Sequence, residues 1–349
     1  MQAYGAGRFN DGAKALEELV IAHLSQTYVR LVRNELWKDD LKGRGRRLAI
    51  YAVLGHGLRV ADELLHPISP FATEYLYQEV FAKRPWSAPL LAEGRTEERT
   101  PRSRSSEETV DFALQVEEAC NSARAKAKLK RRWPLLSVKV LTLSSLGPAA
   151  RRAKGTIALL CNVKKVELVA SARFPATFVL KPNASRVGAL FKDRTREVLS
   201  SLTPLEGGEA LRVYASGRQV KAGTFEVPLS VFELLMTPLE GYEVAEKSGV
   251  FVAVQKERDS ALVAEGLVRD LARRLQALRK EKGFVPTALL PSAAVAGLEE
   301  EDLQLLEPLA RQVAFLVRVK KVALSSGKGG PKGWTESDLD GRPIYLKVG

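Results

Sequence analysis

Apolar positions in the first third of the chain recur at helical spacing. From Leu16 to Trp37, LEELVIAHLSQTYVRLVRNELW, there is no glycine or proline, and Leu16, Leu19, Val20, Leu24, Tyr28, Leu31 and Leu36 fall along one broad stripe. Lys42–Arg47, KGRGRR, reads as a connection. A second helical pattern over about Leu48–Leu65 carries Leu54, Leu58, Ala61, Leu64 and Leu65. Pro67 and Pro70 interrupt it, and Phe71–Phe81 resumes as a third helix. Antiparallel helices with short connections predict a bundle. Lys83–Glu107 is proline-rich and charged and reads as an exposed linker. A long helix then runs from Glu107 or Glu108 to about Arg132, with Val110, Ala113, Leu114, Val116 and Ala119 facing a core, until Trp133-Pro134 stops it.

Beyond Pro134 the period shortens towards alternation. Leu135–Leu143 and Val163–Val169 read as strands around a helix from about Pro148 to Cys161. A strand at Thr177–Asn183 and a helix from about Val187 to Leu202 follow. Short strands are predicted at Leu211–Tyr214, Gln219–Ala222 and Phe225–Val227. Tyr242–Glu257 has the form of a hairpin around Ser248-Gly249. Leu262, Leu267, Leu271, Leu275 and Leu278 mark a long amphipathic helix over about Ser260–Lys282. Glu299–Val317 is helical around Pro308, Val319–Leu324 is a strand, and Ser325–Gly333 is a flexible stretch lacking phosphate-binding P-loop spacing. The expected class is α+β and multidomain: a helical bundle over 1–134 with the linker near 83–107, a small α/β domain over 135–202, and a C-terminal α/β domain over 203–349.

Charge adds a partner class. The 349 residues hold 54 Lys+Arg against 41 Asp+Glu, a net +13, which attracts polyanions. Six cations, Arg124, Lys126, Lys128, Lys130, Arg131 and Arg132, crowd one short run, and Asn121–Trp133 contains no Asp or Glu. Phosphates would relieve their repulsion; a solvated charged face is the other reading. Trp133 suits either stacking on a base or plugging the junction with the next strand. Arg269, Arg273, Arg274, Arg279, Lys280 and Lys282 flank the later helix and face either solvent or RNA. The two cysteines, Cys120 and Cys161, and three histidines, His23, His56 and His66, assemble no zinc cluster or disulfide framework, which favours a reducing compartment. His66 reads as a capping or packing residue. Asp259, Glu265 and Asp270 lie around one helix without a nucleophile or ligand geometry. No apolar run approaches the ~20 residues of a membrane span, and the N-terminus lacks a signal-peptide core, so a cytoplasmic chain without a membrane partner is expected.

Several of these segments, in this order, resemble isoleucyl-tRNA synthetase of the archaeal and eukaryotic cytosolic type. They are YVRLVRNELW (28–37), LLHPISPFATEYLY (64–77), NSARAKAKLKRRWPL (121–135), NVKKVELV (162–169), VLKPN (179–183) and VAVQKERDSALVAEGLVRDLARRLQ (252–276). The resemblance spans about residues 10–320. The catalytic signatures of that family, a His-Ile-Gly-His-like motif and a Lys-Met-Ser-Lys-Ser-like loop, are missing: the His-Gly pair is His56-Gly57 and Met236 sits in LLMTP. The resemblance therefore implies the tRNA-binding end alone, either a C-terminal fragment of the synthetase or a portion encoded separately from a catalytic partner, with ATP and magnesium needed only by the catalytic part outside this sequence. It implies contacts to isoleucine tRNA from Arg30, Arg33, Lys126, Lys128, Lys130, Arg131 and Arg132, joined by Arg124, Arg273 and Arg274. Trp37 and Trp133 are the stacking candidates. No catalytic, cofactor or metal residue is carried over. A free-standing RNA-binding protein derived from the same module is the alternative.

Overall fold

A computed structural model describes residues 2–36, 42–82, 103–142, 147–327 and 330–349. The chain forms two compact units, Met1–Ser103 and Arg104–Gly349.

In the first unit all described elements are helical. They are α1 (Gln2–Gly5), α2 (Phe9–Glu18), a wide-turned π-helical section (Leu19–Val29), α3 (Arg30–Leu36), α4 (Arg44–Leu65), α5 (Pro70–Leu76) and a π-turn (Tyr77–Phe81). The expected helix from Leu16 is present, but its middle is underwound; the Thr27 hydroxyl donates to the Ala22 carbonyl five residues back at 2.8 Å. Arg44–Arg47, expected in a connection, forms the first turn of α4. Pro70 occupies the first turn of α5, where its missing N–H is harmless. His66 Nδ1 lies 2.8 Å from the buried Thr73 hydroxyl, which itself donates to the Ser69 carbonyl. The histidine is thus a packing residue, as its lone position predicts.

The second unit holds α6 (Arg104–Lys126), β1 (Leu135–Thr142), α7 (Gly147–Cys161), β2 (Val163–Leu168), β3 (Ala176–Pro182), α8 (Ala184–Phe191), α9 (Thr195–Ser201), β4 (Leu205–Glu206), α10 (Gly207–Ser216), β5 (Val220–Ala222), β6 (Phe225–Val227), β7 (Phe232–Pro238), β8 (Tyr242–Lys247), β9 (Val250–Gln255), α11 (Ser260–Glu281), β10 (Leu290–Leu298), α12 (Glu300–Leu306), α13 (Ala310–Val317), β11 (Val319–Ser326), β12 (Thr335–Leu339) and β13 (Arg342–Val348). Two four-stranded sheets dominate, in the orders β2-β1-β9-β8 and β11-β10-β13-β12. In each, the pair at one edge, β2–β1 or β11–β10, is parallel and the other pairings are antiparallel. Helices α6 and α7 cover the first sheet through Phe112, Val116, Cys120, Ile157 and Val252. The other face of that sheet is covered by the segment running from β3 to β7, through Leu141, Phe178, Phe251 and Ala253. Helices α11, α12 and α13 cover the second sheet.

This arrangement corrects the expected division at 202/203. β8 and β9 return from beyond it to pair with β1, and α6 packs on the same sheet, so neither 134/135 nor 202/203 separates two cores. Leu211–Tyr214, expected as a strand, lies within α10, which ends at the left-handed Gly217. The expected helix over Val187–Leu202 is broken into α8 and α9 at Lys192, whose φ is positive (46°). β10, β12 and β13 have no counterpart in the sequence prediction.

Candidate nucleic-acid interface

Helix α6 ends at Lys126, six residues before the expected end, and the rest of the basic run forms a turn leading into β1. Lys128 adopts a left-handed backbone (φ 55°), and the Leu129 N–H returns to the Arg124 carbonyl at 2.8 Å. That reversal redistributes the six cations.

Arg124 points inward and is 1% exposed. Its guanidinium donates to four carbonyls, those of Lys130 (3.1 Å), Trp133 (3.0 Å), Cys161 (2.8 Å) and Asn162 (3.1 Å). The buried charge is met by carbonyl dipoles, and the side chain does not reach the surface where a phosphate would lie. This corrects its place among the phosphate contacts. Beside it, Cys120 and Cys161 are buried; the hydrogen bond that the Cys161 thiol donates to Cys120, with burial, holds Cys161 well above its ordinary range.

Trp133 is likewise withdrawn. It is buried, its indole N–H donates to Asp270 at 3.0 Å, and the Arg258 guanidinium lies over its ring at 4.5 Å. It plugs the junction and offers no face to a base. Arg132 pairs with the same Asp270 at 3.2 Å. Lys130 pairs with Asp340, and the exposed Lys126 ammonium donates to the Val244 carbonyl at 3.2 Å. Lys128 and Arg131 are exposed, with no acceptor for their side chains among the described residues.

A second set of polar contacts fixes the turn from outside. Asn162 Nδ2 donates to the carbonyls of Arg131 (3.2 Å) and Arg132 (2.9 Å), while its Oδ1 accepts from Arg269. Arg269 also pairs with Glu265 at 2.6 Å. Glu265 and Asp270 thus serve ion pairs and the indole. Arg274 is half-buried and pairs with Asp338 at 3.3 Å; Arg273 is exposed on α11. Arg30 and Arg33 lie exposed on α3 in the first unit, and Trp37 lies outside the described residues. Arg44 and Arg46 are exposed at the start of α4; the two glycines of KGRGRR make this cluster read as a connection in the sequence, although its arginines lie in a helix.

Among the described residues, no group of three His, Cys, Asp or Glu is placed to hold a metal ion, and no helix is long and apolar enough to cross a membrane. Residues 1–140 match the family described as the anticodon-binding domain of tRNA ligase. The isoleucine–tRNA ligase of Archaeoglobus fulgidus is 27% identical over 348 residues, covering 96% of this chain and 31% of that protein. The enzyme of Deinococcus radiodurans is 28% identical over 99% of this chain and 31% of its own length. That of Methanopyrus kandleri is 32% identical over 78% of this chain and 25% of its own length. The chain spans about a third of the length of the first two relatives. It is a relative of the isoleucine–tRNA ligases, corresponding to a portion of them that carries the anticodon-binding domain.

Proposed function

We propose that the chain binds tRNA around its anticodon region and positions it for an isoleucine–tRNA ligase. The match of residues 1–140 to an anticodon-binding domain of tRNA ligase carries this reading. In the second unit the turn after α6 supplies Lys128 and Arg131 for phosphates, with Lys126 and Lys130 beside them on weaker prior commitments. In the first unit the helices form the bundle that meets the anticodon stem, with Arg30 and Arg33 as phosphate contacts. ATP, magnesium and aminoacyl transfer belong to the remaining two-thirds of the relatives' length. ATP–pyrophosphate exchange with isoleucine is therefore expected at background for this chain, and reproducible exchange by the pure protein would overturn that assignment.

Titration against isoleucine tRNA, an anticodon-altered version and an unrelated tRNA, over a range of salt, tests the function. Preference for the isoleucine anticodon supports recognition by this chain. One observation favours a second reading, general tRNA binding: the indole of Trp133 is buried and leaves this turn only charge to offer. Contacts of that kind fix position without reading sequence. Equal, steeply salt-dependent binding of all three tRNAs would establish it, and no binding would remove both.

A further inference from the structure

The two long helices that precede the two four-stranded sheets end alike. Arg279 of α11 is buried, as Arg124 of α6 is, and its guanidinium also serves four carbonyls: those of Val285 (3.2 Å), Ala288 (2.7 Å), Val317 and Arg318 (3.3 Å). In both cases the first two acceptors stand six and nine residues after the arginine. The last two end the crossover helix just before the parallel strand. The resemblance continues through the backbone. Lys128 and Gly283 are both left-handed, as are Asn162 and Arg318. The carbonyls of that second pair accept the N–H groups of Leu135 and Leu290, each at 3.1 Å. The closing hairpins turn at Ser248-Gly249 and Asp340-Gly341, all four residues at positive φ. β2 reads VKKVEL and β11 begins VKKVAL, the six residues differing only at Glu167 and Ala323. Shared sheet order does not require shared side-chain clamps, turn conformations and strand sequence. The second unit is one module present twice, with β3 to β7 inserted into the first copy.

The copies differ in what the clamp holds. In the first, the turn presents Lys128, Lys130, Arg131 and Arg132. In the second, the corresponding residues are Gly283, Val285, Pro286 and Thr287, without a cation. We propose that Arg124 is a positioning residue for polyanion binding: it shapes the turn so that Lys128 and Arg131 face solvent together. Binding through this turn is confined to the first copy, and Arg279 serves the fold alone. The proposal rests on the reading above that this turn meets tRNA phosphates.

The test uses the full chain, a tRNA transcript, affinity over a range of salt, and the thermal midpoint. A first arm compares the unaltered chain with the Lys128→Ala/Arg131→Ala double variant; an unchanged salt slope would overturn the site and the proposal together. The second arm compares Arg124→Gln with Arg279→Gln, which each remove one buried positive charge and so change net charge equally. Both are expected to lower the midpoint. Arg124→Gln alone is expected to weaken tRNA about tenfold and flatten the salt slope by about one, as loss of a phosphate contact does. With the first arm positive, equal effects of the two arginine variants on binding, or no effect of a folded Arg124→Gln, would overturn the clamp alone. If Arg124→Gln fails to fold, Asn162→Gly decides. It keeps the left-handed backbone available and releases the Arg131 and Arg132 carbonyls, so a fall in affinity of about threefold supports the clamp and unchanged affinity overturns it.

Discussion

Arg124 and Lys128 stand four residues apart in one basic run and have opposite environments. Their separation follows from the helix. Ala113, Val116, Cys120 and Ala123 mark the buried face, and Arg124 continues it, whereas the left-handed Lys128 lies past the helix end. The inward place of Arg124 was therefore legible from the 3.6-residue period, but charge composition obscured it. Gly266 shows the opposite situation, a position with no sequence signal. A Cβ there would lie 2.7 Å from the Trp133 indole, which is fixed by Asp270, so Gly266→Ala forces the ring or the helix to shift. A loss of roughly 1–3 kcal/mol is expected in denaturant unfolding, as for other overpacked sites. Asp62 is a further residue-scale exception: it is 6% exposed, and neither carboxylate oxygen has a hydrogen-bond partner among the described residues. Burial raises its pKa above the ordinary value, partly offset by His66. The folded state therefore holds the proton more tightly than the unfolded chain, and its stability falls as pH rises through the raised pKa. Asp62→Asn is expected to stabilise the protein at neutral pH, with the advantage shrinking as pH falls towards the usual carboxylate range. Thermal midpoints measured across that range check it.

At the scale of elements, alternation and helical period located β1, β2, β3, β8, β9, α7 and α11 to within a few residues. They failed where burial is two-sided or where a turn dominates. β10, LPSAAVAGL, is rich in small residues and carries no strong alternation, and Leu211–Tyr214 is too short to reveal its period. The near-identity of 163–168 and 319–324 was present in the sequence and was the available sign of the repeated module. The two sheets also explain their different surroundings. β9 is buried on both faces, with Phe251 and Ala253 covered by the inserted segment, whereas β13 alternates between buried Ile344, Leu346 and Val348 and more open Tyr345 and Lys347. The basic turn is an element whose cations are unequal. Removing Lys128 and Arg131 together is expected to lower the log–log salt slope of tRNA binding by about 2. Lys130→Ala should change it less, because Asp340 already neutralises that ammonium. A larger effect of Lys130→Ala than of the double variant would contradict this ordering.

At the scale of the molecule, two compact units with separate cores predict separable unfolding. Calorimetry is expected to resolve two transitions: Asp62→Asn should move one, and Gly266→Ala the other. A single transition displaced by both substitutions would show that the units unfold together.

The insertion in the first copy of the module also bears on the order in which the chain acquires its structure. Val138 must find Val254 across the whole inserted segment, whereas Ala293 finds Val348 over a much shorter stretch. Closing the longer loop costs more entropy before any pairing rewards it, and distant pairings slow folding. The second copy, although it follows the first along the chain, is thus expected to be the first of the two to fold. Its β10 and β13 amides should gain protection from hydrogen exchange before those of β1 and β9 during refolding.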